Sequence, residues 1–395
     1  MATILFAWEL GGGLGHLTRL APLAKNACKR GHRVFAALRD LSQAKKVFGG
    51  IRIRYLQAPL RIQAAGDRID PPRTFSHILH NIGFGRAEEL EAMAEAWRNL
   101  YDFVKPDLIV FDHSPTALLA ARGCRASRAV IGTGFEWPPD VYPLPNLRPW
   151  LGDAEEALRQ DEEKVLSNAN RVLDIWGKAP LERLSQLYHQ VELGFLTTFR
   201  ELDHYPDRRG AEYWVPWADL GGKTPVWPAR RGKRIYAYLK PFPALPALLT
   251  TLNKLRCPTI VYVDGIDTKL QQCFRSATLH FENEPLDLRQ VGTTCDLAIL
   301  NGNHGTTVSM LLAGKPMLHV PIYLEQALTG EAVMRIGAGL ATPSTKPDRI
   351  EAALIALLYS QKYSESARCF SANYSGFRAE RQIEKVAQRV EDILN

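Results

Sequence analysis

Several features that are common in other classes of protein are missing from this sequence of 395 residues. It has no run of about 18 apolar residues, so it predicts no membrane-spanning helix. Its six cysteines are scattered without a Cys-x-x-Cys pair, which argues against a zinc site or a disulfide framework and favours the reducing cytoplasm. It also lacks an Asp-x-Asp triplet, the carboxylate pair that often binds Mg²⁺ or Mn²⁺. The sequence therefore predicts a cytoplasmic protein that needs no metal.

The composition is that of a globular protein with two domains. Apolar residues make up 46% of the chain and charged residues 23%, and the length predicts two cores of about 200 residues each. The net charge of +7 fits an anionic ligand, but the basic residues do not form the aromatic-interleaved patches of a nucleic-acid binder. We therefore expect no nucleic-acid partner, and the charge alone leaves a peripheral contact with an anionic membrane open.

Apolar strands and amphipathic helices alternate along both halves of the chain, which predicts an α/β fold with parallel sheets. The predicted strands are Ile4–Trp8, Val34–Leu38, Ile51–Leu56, Leu108–Phe111, Ala129–Ile131, Ile235–Leu239, Thr259–Val263, Thr278–Phe281, Asp296–Leu300 and Met317–Val320. Residues 57–82 are predicted to form a long loop. We expect an N-terminal Rossmann-like domain over 1–218, a linker over 219–232, a C-terminal Rossmann-like domain over 233–375 and a final helix over 376–395. Packing of that helix against the first domain is left open.

A glycine-rich loop follows the predicted strand that ends at Leu300. It runs through Gly302 and Gly305 into a helix that begins near Thr306. A strand that enters a helix through glycines presents backbone N–H groups and the positive end of the helix dipole, and this geometry binds phosphate. The alternative is an ordinary turn that needs glycine only for its backbone angles.

A longer pattern surrounds this loop, made of Gly302, Gly305, Thr306, Ala313, Gly314, Pro316, Pro321 and Gln326. The block resembles the donor-binding signature of GT-B glycosyltransferases, the UDP-glucosyl/glucuronosyltransferase-like group that uses nucleotide sugars. The resemblance implies two Rossmann-like domains that face a cleft. It places the nucleotide sugar on the C-terminal domain and the acceptor on the N-terminal domain.

The resemblance assigns donor-site roles residue by residue. The diphosphate would contact Asn301, Gly302, His304, Gly305, Thr306 and Thr307, the sugar Glu325 and Gln326, and the nucleoside Pro285, Leu286 and Ser309. Four positions depart from the family pattern, which has His at Asn301, Asp at Glu325, Glu at Ser309 and Gln at Leu286. Because a serine cannot make the bidentate ribose contact of a glutamate, a dTDP-sugar stays open beside the UDP-sugar that the group usually takes.

A second glycine-rich segment, 11–15, follows the first strand and opens the first helix. It could be a dinucleotide site with Asp40 on the ribose, but the third glycine of that motif falls on His16. Together with the Leu-Ala-Pro-Leu-Ala and Arg-Gly-His-Arg-Val strings that follow, it resembles the N-terminal signature of the same glycosyltransferases. In that family the residue matching His16 is the general base. The residues expected on the acceptor side are Gly13, Gly15, Arg19 and Trp137, with Arg61 and His77 as further candidates.

A histidine base needs a carboxylate that fixes its tautomer and stabilises its charged form. Asp112 follows the buried strand Leu108–Phe111, at the edge where α/β sheets place their sites. The resemblance points to the same residue. Two alternatives stay open: Asp112 caps the helix that begins near Pro115, or His113 is the base.

The two motifs together imply a metal-independent, inverting glycosyltransferase that moves a hexose from a UDP- or dTDP-sugar to an acceptor hydroxyl. No cofactor is expected besides the nucleotide sugar, and the sequence does not indicate the acceptor. The alternatives are a nucleotide-sugar epimerase of the same fold and a nucleotide-sugar-binding protein without activity.

Overall fold

The computed structural model describes residues 1–63, 66–152, 154–217 and 221–394. The chain divides into two compact units. The first consists of Met1–Thr198, Asp207–Val215 and the final helix, and the second of Phe199–Pro206 and Pro216–Arg378. The segment Phe199–Pro206, expected in the N-terminal domain, thus groups with the second unit. The expected linker 219–232 begins on residues that lie outside the described ranges.

The first unit is an α/β domain. Its elements are β1 (Thr3–Trp8), α1 (Gly15–Lys29), β2 (Arg33–Leu38), α2 (Ala44–Val47), β3 (Ile53–Gln57), α3 (Phe75–Leu79), a π-helical turn (His80–Phe84), α4 (Ala87–Val104), β4 (Leu108–Asp112), α5 (Pro115–Ala120), β5 (Ser127–Gly132), a 3₁₀ turn (Pro149–Leu151), α6 (Glu155–Ile175), α7 (Gln186–His189) and β6 (Leu193–Leu196). Strands β1 and β4 are buried along their whole length, as expected for central strands covered on both faces.

The second unit repeats this architecture. Its elements are a 3₁₀ turn (Arg200–Leu202), β7 (Ile235–Leu239), α8 (Leu245–Leu255), β8 (Thr259–Val263), α9 (Thr268–Phe274), β9 (Leu279–Glu282), α10 (Leu288–Thr294), β10 (Leu297–Leu300), α11 (His304–Leu312), β11 (Met317–His319), α12 (Leu324–Ile336), β12 (Gly339–Ala341), α13 (Pro347–Tyr359) and α14 (Lys362–Asn373).

The final helix, α15 (Ala379–Leu394), belongs to the first unit and packs against α1. Val386 and Ala387 are buried on its inner face. At the far end of α1, His32 accepts a hydrogen bond from the Ala2 backbone at Nδ1 and pairs with Glu391 through Nε2, at 2.6 Å. The imidazole of His32 therefore ties the start of the chain to the helix that closes the unit.

The two sheets have the same topology, and it determines where ligands bind. The strand orders are β3-β2-β1-β4-β5-β6 and β12-β11-β10-β7-β8-β9, with all neighbours parallel. The direction of winding reverses between β1 and β4 in the first unit and between β7 and β10 in the second. Open α/β sheets bind ligands at the carboxyl ends of such strand pairs. Both glycine-rich segments lie at these points.

The sequence did not predict several short elements. Residues 57–82 contain α3 and part of the π-helical turn, although they were expected to form a loop. The four-residue β6 and helix α14 were also missed. Elements as short as α3 and β6 carry too few residues for their periodicity to stand out, and the 12-residue α14 buries only Ala367 and Phe370, too few apolar positions to form a pattern. Among the described residues, no helix is both long enough and apolar enough to cross a membrane.

Candidate active site

His16 and Asp112 lie together at the switch point of the first unit. Nδ1 of His16 is 2.9 Å from Oδ1 of Asp112, and both side chains are buried. The strand register explains the pairing: Asp112 ends β4 directly beside Trp8, and the segment after Trp8 returns His16 to the same edge in the second residue of α1. The two residues predicted to form a dyad are therefore in contact.

Asp112 does not cap helix α5, the alternative left open by the sequence. A different carboxylate does so: Glu9 accepts hydrogen bonds from the backbone N–H groups of Thr116 and Ala117, at 3.0 and 3.2 Å. Burial raises the pKa of Glu9 to about 7, despite these hydrogen bonds. The cap leaves Asp112 available to His16.

The ring of His16 is held between two others. Trp8 stacks on it with 5.2 Å between centroids, and His113 lies parallel to it at 6.1 Å. His113 has a left-handed backbone (φ 46°), which is uncommon for a residue with a side chain. Burial lowers the pKa of His113 to about 3, so it is neutral at physiological pH. A neutral, buried ring fits the stacking position better than the role of base.

Gly11 lies against the opposite edge of His16. Its φ of +80° favours glycine, and a Cβ at this position would overlap Nε2 of His16. Gly13 has nearly the same φ, +81°, but a Cβ there would meet open space. The loop therefore needs glycine at both positions for its backbone and at Gly11 also to admit the imidazole.

Sequence reasoning missed a third carboxylate at this site, Glu136. It is 4% exposed and its Oε1 lies 3.8 Å from Nδ1 of His16. Thr133 donates to Glu136 through both its backbone N–H and its hydroxyl. Glu136 follows β5, the strand next to β4, so the strand-end argument that identified Asp112 applies to it as well.

Arg19 was expected on the acceptor side, but its guanidinium is part of this cluster. Nη1 donates to Oδ1 of Asp112 at 2.8 Å and to Oε2 of Glu136 at 3.2 Å. Burial opposes the charge on Glu136, yet Arg19 and His16 hold the pKa of that carboxyl well below its ordinary range. For His16, burial lowers the pKa, but the charge and hydrogen bond of Asp112 outweigh it, and the pKa lies above its ordinary value.

The cluster also has the residue types of a metal site. One ligand atom from each of His16, Asp112 and Glu136 lies within 4.8 Å of the others. The Arg19 guanidinium, however, contacts both carboxylates and already supplies a positive charge between them. A divalent cation placed there would meet this charge at close range. The residues present fit an arginine-bridged cluster better than a metal ion.

The other residues predicted on the acceptor side lie in different surroundings. Gly15 is the first residue of α1. The Trp137 ring is partly exposed: it packs against β6, where a Cβ on Gly194 would overlap it, and lies beside the apolar core of the first unit. His77 is buried against Asp161, and Arg61 pairs with Glu89. Asp40, the alternative ribose ligand, is exposed and accepts from the Ser42 backbone.

The second glycine loop lies at the switch point of the second unit. It leads from β10 into α11, whose N-cap is Asn303. The side chain of Asn303 does not cap the helix; its Oδ1 accepts from Nε2 of Gln326 at 2.8 Å. The first-turn amides of α11 include those of Gly305 and Thr306, which an α-helix leaves without intrahelical partners. This end of α11 is therefore suited to an anion.

Two polar side chains assigned to the donor, Asn301 and Gln326, also stabilise the loop. Asn301 is buried: its Oδ1 accepts from the Lys240 backbone at 2.6 Å and its Nδ2 donates to the Val320 carbonyl at 2.8 Å. These bonds join the ends of three strands and leave one amide hydrogen for a ligand. Gln326 is engaged at both ends, since its Oε1 accepts from the Ile322 backbone.

The loop backbone is equally constrained. Gly302 has a φ of +107°, and a Cβ there would lie 2.7 Å from the Gln326 carbonyl oxygen. Thr307 is fully buried and its hydroxyl meets Nε2 of His319 at 3.1 Å, so this side chain faces the sheet. Any diphosphate contact here would therefore come chiefly from backbone amides.

The remaining donor-side residues lie around this loop. The buried His304 ring lies beside the ring of His204, with 6.3 Å between their centroids. Glu325 is half-buried in the first turn of α12. The hydroxyl of Ser309 donates a hydrogen bond to the Gly305 carbonyl. Leu286 is 2% exposed and lies in the core, where it forms a β-bridge with Lys223.

Comparison with known proteins gives a uniform result at the level of fold. No protein-family model matches the sequence, and a search of curated proteins gives no match. Among solved structures, CalG4, the calicheamicin glycosyltransferase, has a TM-score of 0.72 at 16% identity, covering 100% of this chain and 98% of its own. VinC, solved with dTDP, has a TM-score of 0.68 at 14% identity, covering 99% and 100%. SsfS6 of Streptomyces sp. SF2575, solved with thymidine diphosphate, has a TM-score of 0.66 at 17% identity, covering 98% and 100%.

These similarities extend over the whole chain, and each protein named is a glycosyltransferase. At such identities a structural match establishes the fold and not the substrate. The doubly wound sheets and the full-length matches confirm the architecture predicted from the sequence: the chain has the GT-B glycosyltransferase fold.

Proposed function

We propose that this protein is a glycosyltransferase that moves a sugar from a nucleotide diphosphate sugar to an acceptor hydroxyl. The observation that carries the proposal is the buried hydrogen bond between His16 and Asp112 at the switch point of the first unit. With Nδ1 committed to the carboxylate, Nε2 is the nitrogen that can take a proton from an acceptor. The amides at the start of α11 would bind the departing diphosphate.

Transfer would be a single displacement with inversion. The acceptor oxygen attacks the anomeric carbon as the bond to the diphosphate breaks, and the hydroxyl proton moves to His16. Negative charge that develops on the leaving oxygen is stabilised by the α11 amides and dipole. The second unit thus accounts for the leaving group and the first for the nucleophile.

A dTDP-sugar is the donor we favour. Ser309 stands where a ribose-gripping glutamate is expected and its hydroxyl is bonded within α11, so no carboxylate is available there for a 2′-hydroxyl. Two structures with the same fold were solved with thymidine diphosphate. A hexose is the expected sugar, and the acceptor class is not specified by these residues.

The proposal is tested by incubating the protein with dTDP- and UDP-sugars and a panel of hydroxyl acceptors. Release of free nucleotide together with a glycosylated product is the expected result. Conversion of the donor to its epimer would favour the epimerase, and nucleotide binding without any turnover would favour the binding protein.

Transfer is expected to persist in excess EDTA, because helix α11 and not a metal ion would neutralise the diphosphate. The measurement is the initial rate before and after chelation, with MgCl₂ added back as the control. Complete loss that Mg²⁺ restores would contradict the metal-free mechanism.

Gly11→Ala is expected to lower turnover by roughly 10- to 100-fold, because the new Cβ displaces the His16 imidazole from its place against the loop. Gly31→Ala is the matched control, since its φ of +87° imposes similar backbone strain but its Cβ would meet open space. Equal rates for the two variants would show that contact with His16 is unimportant.

A further inference from the structure

A second pair of charged side chains, Arg19 and Glu136, contacts the His16–Asp112 pair. Oδ1 of Asp112 accepts from both His16 Nδ1 (2.9 Å) and Arg19 Nη1 (2.8 Å). The same guanidinium reaches both oxygens of Glu136, at 3.2 and 3.4 Å. None of the four side chains is more than 12% exposed. In such surroundings charges interact strongly, so the four groups act as one electrostatic unit.

We propose that Arg19 and Glu136 together set the pH at which His16 takes up a proton, and thereby the pH range in which transfer occurs. They are positioning residues: neither is placed to touch the reacting atoms. The first half of this inference concerns only the four side chains, and the second half rests on the proposed function.

Charge balance within these four side chains determines how readily His16 takes up a proton. With neutral His16, the positive Arg19 and the two carboxylates leave one net negative charge in a buried place. A proton on His16 makes the unit neutral, so proton uptake is favourable there. If Arg19 were present without Glu136, its positive charge would oppose proton uptake by His16. If Glu136 were present without Arg19, its negative charge would favour proton uptake too strongly. The ion pair between Arg19 and Glu136 cancels the two effects.

Other ionisable groups near His16 do not disturb this balance. His113 lies parallel to the His16 ring, and burial keeps it neutral. Glu9 is engaged with the N-terminus of α5, and Arg39 donates to the Glu9 carbonyl. From α15, Glu384 and Glu391 pair with Arg30 and His32 at the other end of α1.

The two single variants should move the pH at which His16 is half protonated, its titration midpoint, in opposite directions. Glu136→Gln leaves a neutral unit that must become positive, so the midpoint should fall by roughly one to three pH units. Arg19→Gln leaves two negative charges, so the midpoint should rise by a similar amount. The double variant restores one net negative charge and should return the midpoint close to that of the wild type.

The test is an NMR titration of His16 in the full-length protein labelled at histidine, with the resonance assigned by its loss in His16→Ala. The pH profile of kcat/KM is recorded in parallel. Arg19→Lys, which keeps the charge, should titrate near the wild type; it serves as the informative variant if Arg19→Gln does not fold. Shifts of the same sign, no shifts, or a double variant that does not return would overturn the inference.

The two readouts separate this inference from the proposed function. Opposite NMR shifts with no sugar transfer by the wild type would support the charge coupling and count against the glycosyltransferase. Transfer by the wild type with an unmoved His16 midpoint in all variants would support the enzyme and overturn the coupling.

Discussion

Replacing His16 with alanine is expected to lower turnover by roughly 10²–10⁴-fold while donor affinity stays nearly unchanged. The reason is that His16 accepts the hydroxyl proton only during the reaction, whereas the donor would be bound by the second unit. The measurement is kcat with saturating acceptor, alongside the dissociation constant for dTDP. The rate of the wild type should also fall at acid pH, with a midpoint above 6.5, because Asp112 raises the pKa of His16 and the protonated ring cannot act as a base.

Asp112→Asn supplies the control for this prediction. It keeps the shape of the side chain but removes the charge, so a loss comparable to or smaller than that of His16→Ala is expected. The double variant should lose little more, because the two residues act as one unit. An His16→Ala variant that binds donor and turns over at the wild-type rate would refute the dyad and make His113 or another residue the candidate base.

Gly305→Val is expected to abolish nucleotide binding by the second unit. Gly305 lies in the first turn of α11, and a branched side chain there would stand where the diphosphate must approach the amides. The wild type should gain about 2.7 kcal/mol of stability from dTDP at 100 times its dissociation constant. Thermal unfolding with and without dTDP or UDP measures this gain, and the variant should show none.

Gly376→Val is the matched control in the same unit, because Gly376 is exposed and a Cβ there meets open space. It should keep the nucleotide-dependent gain in full. If Gly305→Val kept the same gain, the assignment of the donor to this loop would be incorrect.

The fold was predictable because its signals are local and repeated. Buried strands such as β1 and β4 are continuous apolar runs, and glycines mark the turns that leave them. The strand order within each sheet was not predicted and is known only from the structure. The segment Phe199–Pro206 was assigned to the wrong unit by the sequence argument, because nothing in its residues indicates which sheet it will pack beside.

The candidate site was predictable only in part. His16 and Asp112 were found because a chemical role requires both and strand ends bring them together. Glu136 was missed, although it too follows a strand, because its partner Arg19 lies 117 positions away and no spacing rule links them. For Asn301 and Gln326 a motif gave the residue type, but their hydrogen-bond partners depend on strands that meet only in the folded unit. The catalytic and donor-binding roles themselves stay predictions.

The position of α15 has a consequence for how the protein is made. Most of the first unit leaves the ribosome early, but the helix that covers Ile4, Phe6 and Leu23 is translated after the entire second unit. At 5–20 residues per second, the interval is roughly 10 to 40 seconds. During that time the nascent first unit carries an uncovered apolar strip beside α1.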